Sequence, residues 1–571
     1  MFMNWLIMFL LWMITWIIWH EQAPRPPDPY IVDTNNCGKI RGMNEDTDNG
    51  PYYVFLGIPY AEPPVGNLRF KEPQPYHEPW TNVWNATNYP PMCMQWNDFG
   101  FWLFDMIEMW NENIPEMSED CLYLNVWTPW NRKPNSKLPV MVWIHGGGFM
   151  FGSGHSYPLI QYDGEYLMME ENVIVVTINY RLGPFGFLST GDIDLPPHGN
   201  WGLWDQRMAL QWVQDNIANF GGDPNNITIF GESAGGMSVH LHMLSYGGDN
   251  PPMFKQLFHR AIMQSGSAMC PWVIQSNYNA RQRAFRFARI MGCNRMDSSE
   301  MIQCLRSKPW EELWDATWNF WMWFYFPFLP WFFGPVIDGD DAPEAFIPDH
   351  PEEMIKEGKF NDVPWIIGYN NDEGIWFAPM MMNFNWFDED EWIDITNEDW
   401  YEWMPYILFY RDDMSNIKDM DDYIDKVYEE YPGWWDRFPQ ESYWNLQDMF
   451  TDYLFWCPTR IHADNHRKHW GSPVYMYEFD HPPSFGYGQF FMWRWWPPWM
   501  GVDHTEEEII SSMRMMMNYW INFAKHGNPN NTHNGLCWWP QYTSNEQYDM
   551  IMETIIMIQM CRMRDPYCNF W

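Results

Sequence analysis

The sequence Ile-Thr-Ile-Phe-Gly-Glu-Ser-Ala-Gly, Ile227–Gly235, decides the fold. Its first four residues are apolar or β-branched and predict a buried strand, and the stretch from Met237 to Ser245 that follows is compatible with a helix. Ser233 lies between them in a G-x-S-x-G motif, which places a serine hydroxyl above a sheet on a strained turn from strand to helix. A turn of glycine and serine without chemistry is the alternative, and the rest of the chain decides between the two.

Further apolar runs alternate with helix-like segments on both sides of this motif. Near-continuous apolar strands are typical of a parallel sheet that helices cover on both faces, so we expect an α/β protein with a mostly parallel central sheet. Because no convincing linker interrupts the pattern, residues 24–571 are predicted to form a single domain. The other predicted strands are Val140–Ile144, Val173–Asn179, Ala261–Gln264, Val363–Gly368 and Val474–Phe479, and the predicted helices are Trp204–Phe220 and Glu506–Lys525.

The charge balance argues against a nucleic-acid partner. The 571 residues include 33 Lys and Arg against 74 Asp and Glu, which gives a formal net charge of −41. Nucleic-acid binding requires basic side chains to neutralise phosphates, and this chain has too few. A strongly negative surface instead attracts cations, although the charge could also serve only to keep an aromatic-rich protein soluble.

The N-terminal residues predict secretion. Trp5–Trp19 is almost wholly apolar and a Pro-rich segment follows it, so residues 1–23 are interpreted as a secretory signal peptide. The apolar run is shorter than a comfortable membrane span, and no second run follows, so we expect no membrane span in the mature chain. An uncleaved anchor is the alternative, because the segment lacks a basic n-region.

The cysteines and glycosylation sequons agree with an extracellular location. Ten cysteines behind a signal peptide predict disulfides in an oxidising compartment. The sequence contains no C-x-x-C pair, so a metal site of that kind is not indicated. We expect no metal and no cofactor. Asn226 leads into the Ser233 strand and is expected to be too buried to carry a glycan, which leaves Asn85 and Asn530 as the predicted glycosylation sites.

A serine nucleophile needs donors for the oxyanion that its attack creates. His145-Gly-Gly-Gly-Phe149 follows a predicted strand, and its glycines allow backbone N–H groups to approach a developing negative oxygen. Gly147 and Gly148 are therefore candidate oxyanion donors, together with the N–H of Ala234 after the nucleophile. A flexible glycine turn is the alternative for the three glycines taken alone.

The serine also needs a base and an orienting acid, which follow it in the order acid and then histidine in this class of site. Glu373 lies just after the predicted strand that ends at Gly368 and is the candidate acid, with Asp372 as its competitor. His504 is the candidate base, and its rival His481 follows another strand end.

These motifs together resemble the type-B carboxylesterase and cholinesterase family. Phe220–Pro224 leading to Gly231–Gly235 fits the serine signature of the family, and Glu119–Pro129 fits its second signature. Gly57–Ala61, Asn67–Phe70 and Asn179–Gly183 add to the resemblance, which covers roughly residues 28–570. The resemblance implies an α/β-hydrolase fold and ester hydrolysis by a serine nucleophile.

Within the family the chain is most similar to acetylcholinesterases, with a pair of acyl-pocket residues of the invertebrate type. The resemblance implies that Trp110 binds a quaternary ammonium group by a cation–π contact worth about 0.5–2 kcal/mol. It also implies a substrate-binding gorge lined by Trp96, Asp98, Glu232, Leu329, Trp331, Trp376, Phe377 and Trp496.

The resemblance extends to the cysteines and to the C-terminus. It implies the disulfides Cys93–Cys121 and Cys293–Cys304, and a third disulfide from Cys457 to Cys568 or Cys561. The chain stops at Trp571 without the oligomerising helix of the family, so we expect a monomer or a homodimer.

The resemblance therefore predicts a secreted, extracellular serine esterase that hydrolyses choline esters, most of all acetylcholine, with a synaptic location as one alternative. A small cationic ester is the expected substrate. The first alternative function is a carboxylesterase of broad specificity. A catalytically silent adhesion protein is the second, and it is suggested by the segment after His504, which is shorter than the family pattern.

Overall fold

The structure is a computed structural model that describes nineteen stretches of the chain. These are residues 30–35, 37–47, 50–76, 79–95, 116–133, 136–157, 160–191, 199–245, 256–317, 333–339, 345–376, 401, 404, 420–431, 439–469, 471–479, 506–530, 538–543 and 549–552, with the side chains of residues 375 and 376 and of parts of a few helices and strands left aside. The predicted signal peptide, residues 1–23, lies outside them.

The described strands and helices alternate along most of the chain. The strands are β1 Ile31–Asp33, β2 Lys39–Arg41, β3 Met43–Thr47, β4 Gly50–Pro59, β5 Trp84–Asn85, β6 Met92–Cys93, β7 Met117–Ser118, β8 Tyr123–Pro129, β9 Leu138–Ile144, β10 Ser156–Tyr157, β11 Ile160–Gln161, β12 Ile174–Ile178, β13 Gly222–Glu232, β14 Arg260–Gln264, β15 Trp365–Asn370, β16 Val474–Phe479 and β17 Asp549–Met552. The helices are α1 Glu165–Glu171, α2 Gly183–Phe187, α3 Trp201–Asn216, α4 Ala234–Leu244, α5 Asn277–Ile290, α6 Ser298–Arg306, α7 Trp310–Thr317, α8 Pro351–Lys356, α9 Met420–Glu430, α10 Pro439–Thr451, α11 Cys457–His469 and α12 Glu506–His526.

One large sheet organises these elements. Its ten strands lie in the order β17-β16-β15-β14-β13-β9-β12-β8-β4-β3. The strands from β17 to β12 are parallel, and β8, β4 and β3 extend the sheet with antiparallel pairs. The predicted mostly parallel α/β-hydrolase sheet is therefore confirmed.

Both faces of the sheet are buried, because alternate residues of each central strand enter two separate cores. Ile229 of β13 packs in the core on the side of α4, whereas its neighbour Phe230 packs in the core on the side of α12. The carboxyl ends of the parallel strands consequently emerge along one edge, where α/β proteins bind their ligands.

The described residues form two disulfides, Cys93–Cys121 and Cys293–Cys304. Cys457 is also disulfide-bonded, to a partner outside the described residues, and the candidates Cys561 and Cys568 lie there too. No helix in the described part of the chain is long and apolar enough to cross a membrane.

Candidate active site

Ser233 lies on a sharp turn at the carboxyl end of β13. Its backbone angles are φ 53° and ψ −123°, a conformation that costs a residue with a side chain about 1–3 kcal/mol. Two hydrogen bonds hold it there, because its N–H donates to the carbonyl of Gln264 at 2.8 Å and its own carbonyl accepts from the N–H of Met237 at 2.9 Å. Ser233 is half-buried, so its hydroxyl is displayed at the edge of the sheet.

Close backbone packing explains why the turn requires glycines. A Cβ atom on Gly235 would lie 2.0 Å from the carbonyl oxygen of Ile144, and one on Gly231 would lie 2.5 Å from the backbone of Gly235. A Cβ atom on Gly266 would lie 2.3 Å from the carbonyl oxygen of Ser233. Strand, turn and helix can thus meet around Ser233 only if these positions lack side chains.

The glycine-rich segment after β9 lies directly beside Ser233. A Cβ atom on Gly146 would lie 3.2 Å from Cβ of Ser233. Gly147 and Gly148 follow with φ angles of 103° and 60°, and the carbonyl of Gly147 accepts from the N–H groups of Met150 and Phe151 at 2.9 and 3.1 Å. The glycines named as oxyanion donors therefore belong to a tight turn next to Ser233, and Ala234 begins α4 on its other side.

A buried histidine supports this turn. The rings of His145 and Tyr180 stack with centroids 4.4 Å apart, and the Tyr180 hydroxyl donates to the carbonyl oxygen of His145 at 2.9 Å. Burial lowers the pKa of His145 to about 3, so its ring is neutral at physiological pH and Nδ1 can donate to the carbonyl of Gly146 at 2.8 Å. His145 therefore packs beneath the turn as a neutral ring and carries no charge into the site.

Glu373 opens a short 3₁₀ turn, Glu373–Trp376, just after β15. Its side chain is buried, and Oε1 accepts from the N–H of Asn370 at 2.8 Å, from Nδ2 of Asn370 at 3.1 Å and from the hydroxyl of Ser265. Burial raises the pKa of Glu373 to about 7, and the hydrogen bonds from Asn370 and Ser265 act in the opposite direction. This carboxyl is therefore poised to titrate near neutral pH.

The sheet register brings Glu373 close to the turn of Ser233. Glu232, which precedes Ser233, pairs with Gln264 on β14, and Gln264 pairs with Gly368 on β15. Ser265 follows Gln264 in the chain: the carbonyl of Gln264 accepts from the N–H of Ser233, and the hydroxyl of Ser265 donates to the carboxyl of Glu373. Ser265 could have been found from the sequence, because its hydroxyl directly follows the predicted strand Ala261–Gln264.

The competing acid, Asp372, points elsewhere. Its Oδ1 accepts from Nε2 of Gln447 on α10 at 2.7 Å, and the residue is half-buried. Of the two acidic residues considered, Glu373 is the buried one that contacts the strand next to the nucleophile.

Glu232 adds a second carboxyl group beside Ser233. Its Oε2 atom is buried and accepts no hydrogen bond from the described residues, and a Cβ atom on Gly146 would lie 2.6 Å from it. Burial raises the pKa of Glu232 well above its usual range, and the nearby charge of Glu373 raises it further. Glu232 is therefore favoured in its protonated form while Glu373 is ionised.

Several predicted site residues lie outside the described residues. These are Trp96, Asp98, Trp110, Leu329, Trp331, Phe377, Trp496, the base candidates His481 and His504, and the cysteine Cys568. The backbone of Trp376 ends the 3₁₀ turn that begins at Glu373, but its side chain lies outside the description as well.

The two predicted glycosylation sites differ in accessibility. Asn85 is exposed, and its Nδ2 donates to Oγ1 of Thr87 at 3.0 Å. Asn530 is buried. Its Nδ2 donates to the carbonyl of Trp539, and its Oδ1 accepts from the N–H of Trp539, both at 2.5 Å. A glycan on Nδ2 of Asn530 is incompatible with this pairing, which leaves Asn85 as the accessible site.

The sequence patterns did not reveal a stack of buried histidines behind the nucleophile helix. The rings of His240 on α4 and His462 on α11 lie 3.5 Å apart, and His462 also stacks on Trp365 at 4.5 Å. Nδ1 of His240 accepts from the N–H of Ala268 at 2.9 Å. Among the described residues, no group of three or more His, Cys, Asp or Glu side chains could hold a metal ion.

Comparison with known proteins identifies the class. The carboxylesterase family model matches residues 28–571, and the chain belongs to this family. Esterase-5B of Drosophila persimilis is 47% identical over 469 residues, which cover 82% of this chain and 80% of that protein. Esterase-5A of Drosophila pseudoobscura pseudoobscura is 48% identical over 464 residues, covering 81% and 78%.

The family membership makes the protein a serine carboxylic ester hydrolase of the type-B carboxylesterase family, as the sequence motifs predicted. The finer resemblance to acetylcholinesterases finds no support in these relatives, which are esterases by name. The family motifs concern the fold and the nucleophile, and therefore they do not discriminate between ester substrates.

Proposed function

We propose that this protein is a carboxylesterase of broad specificity that forms an acyl-enzyme on Ser233. His504 removes the hydroxyl proton while Oγ of Ser233 attacks the ester carbonyl, and Glu373 orients the imidazole and stabilises its charge. The N–H groups of Gly147, Gly148 and Ala234 hold the tetrahedral oxyanion.

The same groups complete the reaction. The protonated His504 gives its proton to the alcohol oxygen as the bond between that oxygen and the acyl carbon breaks. A water molecule then attacks the acyl-enzyme while His504 takes its proton, and the carboxylic acid leaves as Ser233 regains its hydrogen. No cofactor or metal enters the proposed sequence.

The observation that carries this proposal is the backbone of Ser233, with a φ of 53° at the junction of β13 and α4. A strained residue that close packing enforces is common at catalytic positions, because the strain displays the side chain. The glycine turn on one side and the buried Glu373 on the other are the further components that a serine hydrolase requires.

Choline esters are the second candidate substrates, and acetylcholine is the foremost of them. A net charge of −41 favours a cationic substrate. In this version Trp110 binds the ammonium group, with Trp96, Asp98, Trp376, Phe377 and Trp496 along the approach and Leu329 and Trp331 around the acyl group. The names of the relatives favour the broader esterase.

The setting of the enzyme is part of the proposal. We infer a secreted monomer or homodimer in which residues 24–571 form a single catalytic domain, since a signal-like N-terminus precedes a disulfide-bonded chain. A glycan on Asn85 and a third disulfide from Cys457 to Cys568 belong to the same proposal.

Ser233→Ala in the purified secreted protein tests the mechanism, with Ser245→Ala as the matched control at the other end of α4. Hydrolysis of para-nitrophenyl butyrate and of acetylthiocholine is measured for both variants. We expect Ser233→Ala to lose both activities and covalent labelling by an organophosphate, and Ser245→Ala to keep them. Retained turnover in Ser233→Ala would refute the mechanism.

The two substrates then separate the candidates. Turnover of para-nitrophenyl butyrate that equals or exceeds turnover of acetylthiocholine supports the broad carboxylesterase, and Trp110→Ala should then affect both alike. A strong preference for acetylthiocholine that Trp110→Ala abolishes establishes the choline esterase instead. A folded wild-type protein that hydrolyses neither ester and takes no organophosphate is a silent binding protein, which contradicts both.

A further inference from the structure

Gln95 connects the first disulfide loop to the glycine turn of the active site. It lies two positions beyond Cys93, whose disulfide with Cys121 anchors this segment, and only 7% of its surface is exposed. Its Oε1 accepts from the N–H of Gly152 at 2.8 Å, and its Nε2 donates to the carbonyl of Gly152 at 2.9 Å and to that of Cys93 at 3.1 Å.

The backbone of Gln95 is fixed as well. Its carbonyl accepts from Nε1 of Trp314 on α7 at 2.8 Å. The disulfide segment therefore holds the side-chain amide and the helix holds the backbone, so that Gln95 presents a preorganised donor and acceptor to Gly152.

Gly152 closes the glycine-rich segment on itself. With a φ of 108°, it folds back so that a Cβ atom placed on it would lie 2.4 Å from Nδ1 of His145 and 2.8 Å from the carbonyl oxygen of Gly146. The two ends of the segment are thus in contact, and Gly147 and Gly148 lie in the turn between them.

We propose that Gln95 is a positioning residue for the oxyanion hole. By pairing with both backbone groups of Gly152, its carboxamide holds the far end of the segment against His145 and Gly146, and so it fixes the direction of the N–H groups of Gly147 and Gly148. The inference rests on the proposed function, because it assigns Gln95 a role in the oxyanion hole of that reaction.

The need for such a residue follows from the chemistry of the segment. Oxyanion donors must lie about 2.7–3.1 Å from the developing negative oxygen, and they are effective because they do not reorganise during the reaction. Glycines have the greatest backbone freedom of all residues, so a turn built from them holds its direction only if other groups restrain it.

The pairing also requires a carboxamide. One side chain must donate to a carbonyl and accept from an N–H of the same residue, which Gln can do and which neither an ionised Glu nor a Met can do. The arrangement is therefore specific to the chemistry of Gln95 as well as to its volume.

Gln95→Met tests the inference, because it keeps the length of the side chain and removes both hydrogen-bonding functions. Gln214→Met is the matched control: Gln214 is half-buried on α3, and its Nε2 donates to the carbonyls of Pro224 and Leu257 at 2.8 and 3.0 Å. Rates are normalised to the sites titrated with an organophosphate. KM and kcat for a para-nitrophenyl ester are compared with the affinity for a trifluoromethyl ketone, which forms a tetrahedral adduct with the serine.

Removing one oxyanion donor lowers the rate about 10²–10³-fold, and misdirecting donors that remain present should cost about ten- to a hundredfold. We expect Gln95→Met to lower kcat and the affinity for the ketone by the same factor with KM little changed. Gln214→Met should change neither quantity, even if it lowers the melting temperature. Gln95→Asn, which keeps the carboxamide but shortens its reach, should change kcat and ketone affinity together in the same direction.

Unchanged ketone affinity in Gln95→Met would overturn the positioning role, as would a loss that follows the melting temperature in all three variants. If neither Gln95 variant yields titratable sites while Gln214→Met does, Gln95 serves folding and the inference is overturned. Activity retained in Ser233→Ala would instead defeat the proposed function itself, so the two failures are distinguishable.

Discussion

Replacing Ser265 by alanine should shift the pH dependence of catalysis. The Ser265 hydroxyl donates to Oε1 of Glu373, which also accepts from the N–H and from Nδ2 of Asn370 at 2.8 and 3.1 Å. Burial raises the pKa of Glu373 to about 7, and these donors oppose that rise by stabilising the ionised form. Ser265→Ala removes one of them without adding volume.

The size of the shift follows from the energy of one hydrogen bond. A hydrogen bond to a charged group contributes about 1.5–3 kcal/mol, and one pKa unit corresponds to about 1.4 kcal/mol. The pKa of Glu373 should therefore rise by about 1–2 units in the variant. In the proposed mechanism Glu373 is ionised when it stabilises the imidazolium, so activity should be present above this pKa and lost as the pH falls through it.

The assay is the dependence of kcat/KM on pH, from about pH 5 to about pH 10, with an uncharged ester whose own protonation does not change. The acidic limb of the profile, which reports the coupled acid and base, should move to higher pH by about 1–2 units. The value of kcat/KM should therefore fall about tenfold near pH 7 and recover above about pH 9. Ser267→Ala is the control, because its hydroxyl accepts from the N–H of Met269 at 3.2 Å and makes no bond to Glu373. An unshifted limb, or an equal loss at every pH, would refute the reasoning.

Further substitutions test other parts of the structure. Gly147→Ala would place a Cβ atom 2.0 Å from the carbonyl oxygen of Phe151 at a φ of 103°, so kcat/KM should fall about 10²–10³-fold with the loss of an oxyanion donor. Arg69→Met leaves the buried carboxylate of Glu119 without its partner at 2.5 Å and should cost about 3–5 kcal/mol in urea unfolding, most of which the double variant with Glu119→Met should restore. Burial holds the pKa of His462 well below its usual range, so the folded state resists protonation of this ring. Stability is therefore lost as the pH falls below about 6.5, and His462→Phe removes the group responsible. The variant should reduce that loss by about 1.4 kcal/mol per pH unit, and an unchanged slope in urea unfolding would contradict this account.

The strands of the sheet were predictable because their signals are local. The predicted strand Val474–Phe479 coincides with β16, and the strand expected at Val363–Gly368 is observed at Trp365–Asn370. The difference at β15 has a simple cause: Pro364 lacks an N–H for the ladder, so the strand begins after it. The predicted helix Trp204–Phe220 is observed as α3, which ends at Asn216 and is followed by a 3₁₀ turn.

Partners that come from distant parts of the chain were not predictable in this way. Ser265 and Glu373 are 108 residues apart, and Gln95 and Gly152 are 57 residues apart, so only the register of the sheet and the path of the loops bring them together. Asp372 and Glu373 are adjacent in the chain, and only the structure shows that Glu373 is the buried one of the two.

The motifs do not determine which ester is hydrolysed, for a physical reason. A whole family shares the fold, the sharp turn at Ser233 and the glycine turn. The selection of an ester depends instead on side chains that loops present at the mouth of the site. The sequence motifs therefore established the reaction class and left the particular ester to experiment.

The proposed mechanism requires that Ser233 becomes acylated during turnover. Purified enzyme is mixed with para-nitrophenyl butyrate, quenched in acid and digested, and the peptide that contains Ser233 is analysed by mass spectrometry. We expect a burst of para-nitrophenol and a butyryl group on Ser233, neither of which should occur in Ser233→Ala. Turnover without a burst and without an acyl group on this peptide would contradict it.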